Sequence, residues 1–170
     1  MKKITLIVLS AISLASCGLN QKKAVDYNNG LVKIQQEAAL AVVNAENQIG
    51  AAITAKDSAK AIQLMDDAAA KVDGYQKQID SLKFDGDDFG MKAALNETIA
   101  FMKNFYGVTY KKWLGIQFSP DPTPADQQTA QALLTESQKG GGDLDKKFLQ
   151  AQQQFAKSHN IKLIQQNFVK

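Results

Sequence analysis

Apolar and polar positions along this chain fall into stretches with two different rhythms. Ile4 to Leu14 is a nearly continuous apolar run of about eleven residues, broken only by the small hydroxyl residues Thr5, Ser10 and Ser13. A bilayer-spanning helix needs roughly 20 such residues. With Met1-Lys2-Lys3 before it and small residues at its end, the run reads as a secretory signal and not as a membrane helix. Beyond it the rhythm changes. From 24 to 54, apolar or small residues recur at three- and four-residue steps: Tyr27, Leu31, Ile34, Ala38, Ala41, Ala45, Ile49 and Ala52. That spacing predicts one long amphipathic helix with an alanine-rich middle.

A second helix is predicted over 57–83, with Asp57 as N-cap and a stripe of Ile62, Met65, Ala69, Val72, Ile79 and Leu82. It stops near Phe84-Asp85-Gly86-Asp87-Asp88. A third is predicted over 89–117, its inner face being Met91, Leu95, Ile99, Met102, Phe105, Thr109, Trp113 and Ile116. All three prolines lie in the loop that follows, Ser119-Pro120-Asp121-Pro122-Thr123-Pro124. Thr123, with Pro124 at the first helical position and Asp126 three residues on, is a near capping box for a fourth helix over 124–158.

Gly140-Gly141-Gly142 should interrupt that helix, each glycine costing about 1 kcal/mol relative to alanine. Yet the stripe Ala130, Leu134, Ser137, Gly141, Leu144, Phe148, Ala151, Phe155 keeps its phase across the glycines, which argues for one helix, bent or thinned there. The competing reading ends a helix at Lys139 and restarts with Asp143 as N-cap. Four long helices with short connections predict an all-α fold, an up-down-up-down four-helix bundle over 24–160, with a partly apolar tail over 161–170.

The residues Leu14-Ala15-Ser16-Cys17, followed by Gly18, resemble the lipobox of bacterial lipoproteins. The resemblance implies that residues 1–16 are removed and that Cys17 becomes the lipid-modified N-terminus. Its thiol would take a diacylglycerol and its new amine a fatty acid such as palmitate. Each buried methylene contributes about 0.8 kcal/mol, so two or three chains anchor stably where one would not. Cys17 is the only cysteine, with no disulfide or metal-ligating partner of its own kind. Residues 17–23 are then the lipidated cysteine and a polar tether. Surface display in Bacteroidetes lipoproteins follows acidic residues just after the cysteine; 18–23 has none. A periplasm-facing place on the outer membrane is the expectation.

Charge narrows the partners. Losing Lys2 and Lys3 with the signal takes the formal net charge from +3 to +1. All 20 basic residues are lysine. Without arginine the chain lacks the planar fork used for bidentate recognition and for stacking in nucleic-acid grooves, so no nucleic-acid partner is expected.

Candidate chemistry is sparse. A di-iron bundle needs a Glu three residues before a His on two helices; His159 is the only histidine, and Ala156 stands in that Glu's place. Zinc sites of the His/Cys type, covalent haem attachment, phosphate loops, dinucleotide loops and nucleophile elbows all lack their residues. No enzyme activity, cofactor or metal is therefore expected. Asp85, Asp87 and Asp88 depart from the EF-hand order, with Asn96 where its final Glu belongs. They suit a helix N-terminus instead. His159 reads as a helix C-terminal residue. Asp57-Ser58-Ala59 and Asp80-Ser81-Leu82 look like the O-glycosylation signal of Bacteroidetes envelope proteins.

Phe105, Tyr106, Tyr110 and Trp113, with Phe101, form the richest aromatic group, either core or a pocket for an apolar or flat ligand. In length, helical pattern and arginine-free style the mature chain resembles four-helix envelope lipoproteins of Bacteroidetes and spirochaetes, a likeness of architecture that transfers no site. It implies a membrane-anchored, non-enzymatic adaptor or scaffold with an envelope protein as partner. The alternative is a ligand-binding bundle.

Overall fold

The computed structural model describes residues 7–12 and 18–167. Four long helical stretches carry the chain, so its class is all-α. They are α1 (Leu19–Thr54), α2 (Ser58–Ser81), a composite third helix and α5 (Pro124–Ser158). The composite consists of α3 (Met91–Asn104), a π-helical segment (Phe105–Tyr110) and α4 (Lys111–Gln117), joined without a break. Beside them, β1 (Ile7–Ile12) and β2 (Lys162–Asn167) pair antiparallel, Ile7 opposite Asn167 and Ile12 opposite Lys162.

The helix starts follow their capping chemistry. Asp57 accepts from the Lys60 backbone N–H at 2.9 Å and opens α2. Thr123 and Asp126 form the full reciprocal capping box of α5, with Pro124 inside it. The acids before the third helix act as caps. Asp87 accepts from Phe89 N–H, and Asp88 accepts from Gly90 and Lys92 N–H and from the Tyr27 hydroxyl. That helix begins at Met91 and not at 89 because Phe89 (φ 54°) and Gly90 (φ 80°) both hold left-handed backbone.

At two other ends the boundaries differ from the sequence expectation. α1 begins at Leu19, inside the stretch read as a tether. Leu19-Asn20-Gln21-Lys22-Lys23 contains no helix breaker, and Ala24 and Val25 just beyond are buried. The tail at 162–167 is extended and paired. Through Gly140–Gly142, α5 runs unbroken. The Phe101 ring lies on this bare stretch of backbone: a Cβ at Gly140 would stand 2.8 Å from Phe101 Cε2.

α1 packs on α2, α2 on α3, and α3 on α5. Tyr27, Leu31, Ile34, Ala38, Ile49 and Ala52 of α1 are buried, as their spacing predicts. In α2 the face is turned slightly. Ala61 and Ala68 go inside with Met65, Val72 and Ile79, whereas Ile62 is 44% exposed. In the third helix Met91, Leu95 and Ile99 are buried as expected, but the face then passes to Tyr106, Tyr110 and Leu114, one residue beyond the expected Phe105, Thr109 and Trp113. The wider π turn is the cause. A four-residue step drifts about 40° forward round an α-helix and about 33° backward in a segment of about 4.4 residues per turn, so the π step from Tyr106 to Tyr110 and the α step from Tyr110 to Leu114 nearly cancel and leave the three on one face.

Two polar contacts tie α1 to α5. Gln152 donates to Asn28 Oδ1 at 2.9 Å with both residues buried, and seven residues on along α1 and seven back along the antiparallel α5 Gln35 donates to Asp145 at 3.5 Å. Near one end Tyr27, Phe84, Phe155 and His159 pack ring against ring, with centroids 4.5–5.9 Å apart.

Candidate functional site

The π segment gathers the aromatic residues singled out in the sequence. Phe105 stacks on Tyr110 at 5.1 Å and 29°, and Tyr110 stacks on Trp113 at 5.0 Å and 3°. Tyr106 meets Phe105 and Tyr110 edge-on at 5.2 and 5.8 Å. Tyr106 and Tyr110 are buried, while Phe105 and Trp113 are half-buried at the outer side of the stack. All four residues named from the sequence are thus brought together. Phe101 stands apart from this ladder, over Gly140.

Facing the tyrosines from α1 is Glu46, a residue the sequence reading passed over. It shares the apolar stripe with Ala45 and Ile49, and an acid at that phase is the signal that points to it. Burial raises its carboxyl above the ordinary value of 4.5. Desolvation, then the Glu46 charge, pushes the Tyr110 hydroxyl up to about 12, and Tyr106 is raised by the same two causes in the same order. The site is a half-buried carboxyl on α1 whose charge acts on two tyrosines of a π turn, a feature that recurs at functional sites.

Open space beside these rings is small. A cavity of about 10 Å³, lined by Ala38, Ala41, Val42, Ala68, Lys71, Val72 and Tyr106, is at the limit of a single water. The Tyr106 hydroxyl points to the Val42 carbonyl at 3.5 Å. A ligand entering here would have to displace a ring or lie across the outer faces of Phe105 and Trp113.

Elsewhere, a shallow surface groove of about 400 Å³ is lined by Phe89, Gln154, Lys157 and Ser158. His159 is the C-cap of α5. It packs between Phe84 and Phe155, and its Nε2 is buried with no hydrogen-bond partner among the described residues. Asp87 and Asp88 are taken up by the backbone N–H groups before and within the first turn of the third helix, and no group of three or more His, Cys, Asp or Glu stands together as metal ligands among the described residues. No described helix is long and apolar enough to cross a membrane.

The lipobox residues Leu14, Ala15, Ser16 and Cys17 lie outside the described residues. Comparison with protein families, with characterised proteins and with solved structures finds no match for this chain.

Proposed function

We propose that this is a lipid-anchored protein of the bacterial cell envelope that acts as a non-enzymatic adaptor, its four helices forming an up-down-up-down bundle. The observation that carries the reading is the apolar run ending in Leu14-Ala15-Ser16-Cys17, which leads within two residues into a long helix of an all-α chain. Contacts between helix ends fit the up-down order. Gln21 of α1 bonds to Asn160 just after α5, and Tyr27 of α1 bonds to Asp88 just before α3. Large apolar residues exposed on the helices, Leu40, Val43, Ile62 and Val108, offer the kind of surface a protein partner covers.

Native mass spectrometry of the full-length protein, extracted from its own membranes in mild detergent, tests the reading. The expected spectrum shows acyl mass on Cys17 and a retained protein companion. An unlipidated, unprocessed chain overturns it. The π segment and the half-buried Glu46 favour a second reading, a bundle that binds a flat or apolar ligand at Phe105, Tyr106, Tyr110 and Trp113. A small-molecule mass in the same spectrum, with quenching of Trp113 fluorescence on rebinding, would establish it; a flat response across lipids and porphyrins would dismiss it.

A further inference from the structure

The beginning of α1 sets where a lipid on Cys17 would place the rest of the molecule. Only Gly18 stands between that cysteine and Leu19, the first helical residue. Two residues of extended chain span at most about 7 Å. A helix this close to its anchor has no slack with which to hold the bundle off the bilayer. We propose that the bundle stands end-on against the membrane, with the first turn of α1 and the start of the segment after α5 resting on anionic phospholipid headgroups. The inference depends on lipidation of Cys17 and adds to it an orientation and a contact surface.

Three features of this end fit that surface. Leu19 is 80% exposed, the highest value among the exposed large apolar residues of the described chain, and it lies at the extreme end of its helix. Its position matches the interface, where an apolar side chain can enter among headgroups.

Charge is the second feature. Helix N-termini favour acids, yet the first turn of α1 has none, and Gly18 provides no side-chain cap. Lys22 and Lys23 follow instead, both exposed. In water these cations oppose the helix dipole. Against phosphate-bearing headgroups they gain about 1 kcal/mol, or fivefold, each.

The third is that other cations stand level with them. Gln21 donates to the Asn160 carbonyl at 2.8 Å, so the first turn of α1 is tied to the end of α5 and the exposed Lys157 shares its height. Exposed Lys162, two residues past Asn160, loses its partner Ile12 when residues 1–16 are removed and is kept at this end by the Asn160 contact. Asp26 offsets part of this charge, 3.9 Å from Lys22 and pointing into water. Asp87 and Asp88, further along, are committed to the backbone N–H groups of the third helix.

The far end follows from helix length. The 36 residues of α1 span about 54 Å, so the turn at Ala55 is carried roughly 50 Å from the headgroups. Exposed Leu40 and Val43 then face the space above the membrane at about 32–36 Å, roughly two thirds of that height.

The test uses full-length lipidated protein, in which the Cys17 thiol is consumed by lipid. Leu19→Cys, Lys162→Cys and, as a far-end control, Ala55→Cys each give one free thiol for a nitroxide label. Vesicles of phosphatidylethanolamine and phosphatidylglycerol are floated first, and label collisions with aqueous nickel chelate and with oxygen are read second. The inference expects flotation of all three, with loss of nickel access and gain of oxygen access at 19 and 162 but not at 55. Lys22→Glu with Lys23→Glu should lower the ratio of shielded to open label at 19 by fivefold or more, taking about fivefold for one lysine as the floor. Flotation with position 19 as open to nickel as position 55 overturns the docking and leaves the anchor standing. Shielding at 19 that appears only with a co-purified protein also overturns it, assigning this end to a protein partner. Failure to float removes the anchor and the docking together.

Discussion

Alanine substitutions in the triglycine of α5 separate two effects that share one short stretch. Gly142 lies in unbroken helix, and a Cβ there would meet nothing within 4 Å. Gly142→Ala therefore gains the helix-propensity difference, about 1 kcal/mol, with no steric cost. Gly140→Ala gains the same term, but its Cβ would sit 2.8 Å from Phe101 Cε2 and 3.1 Å from Cζ. The half-buried ring must move, and overpacking of this kind costs about 1–3 kcal/mol. The net at 140 runs from about zero to 2 kcal/mol destabilising, so the two variants should differ by about 1–3 kcal/mol. For a chain of this size 1 kcal/mol is about 2–4 °C in Tm. Thermal and urea unfolding followed by circular dichroism read the difference, and Phe101→Leu should return Gly140→Ala toward Gly142→Ala. Equal stabilisation at 140 and 142 would refute the ring contact. Destabilisation at 142 would refute the continuous helix.

Thr123→Ala removes one half of the α5 capping box and should cost about 1 kcal/mol in urea unfolding. Gln152→Ala takes away the donor to buried Asn28 Oδ1 and should cost about 1–3 kcal/mol, with a double-mutant cycle against Asn28→Ala giving a coupling above about 0.5 kcal/mol. Burial raises the Glu46 carboxyl, so the folded chain binds its proton more tightly than the unfolded chain does. Its contribution to stability is complete below the unfolded value of 4.5 and is lost as pH rises through the folded value. Glu46→Gln should flatten that fall and be more stable than the parent at pH 7, which unfolding series from pH 4 to 8 would show.

Helix number, the loop of prolines and the phase of α5 across its glycines are legible in the sequence because each rests on a local rule. Asp57, Thr123 and Asp126 announce their caps, and Tyr27, Leu31, Ile34 and Ala38 announce their face. Other features are not local. Ala61 and Ala68 go inside where Ile62 does not, because small residues let α1 approach closely and the stripe follows the neighbour. The aromatic site was half legible. Its members are near in sequence, yet which ring faces inward depends on the π turn, and nothing in Phe105-Tyr106-Gly107-Val108-Thr109-Tyr110 announces a wider turn. Glu46 and the Asn28–Gln152 pair were visible as polar residues out of phase, but their partners lie on other helices.

The π segment itself can be tested for purpose. A segment of this kind holds one residue more than the α-helix it replaces. Val108 is 62% exposed, so deleting it removes no core contact, and the segment can close into ordinary α-helix with Tyr110 and Leu114 kept on their inner face. Stability should then stay within about 1 kcal/mol of the parent, since exposed helix positions contribute on the scale of their propensities. Buried Tyr106 also keeps its inner place, three residues before Tyr110 and seven before Leu114; what changes is the ring geometry, because half-buried Phe105 turns relative to Tyr110 and the parallel stack at 5.0 Å is left with a different neighbour. If the segment exists only to fill the bundle, the deletion variant keeps its retained companion unchanged. If the stack with Glu46 holds a ligand, binding is lost while the fold survives. A loss of several kcal/mol would refute the account of the one-residue shift, because it would mean that the wider turn carries the packing of the third helix.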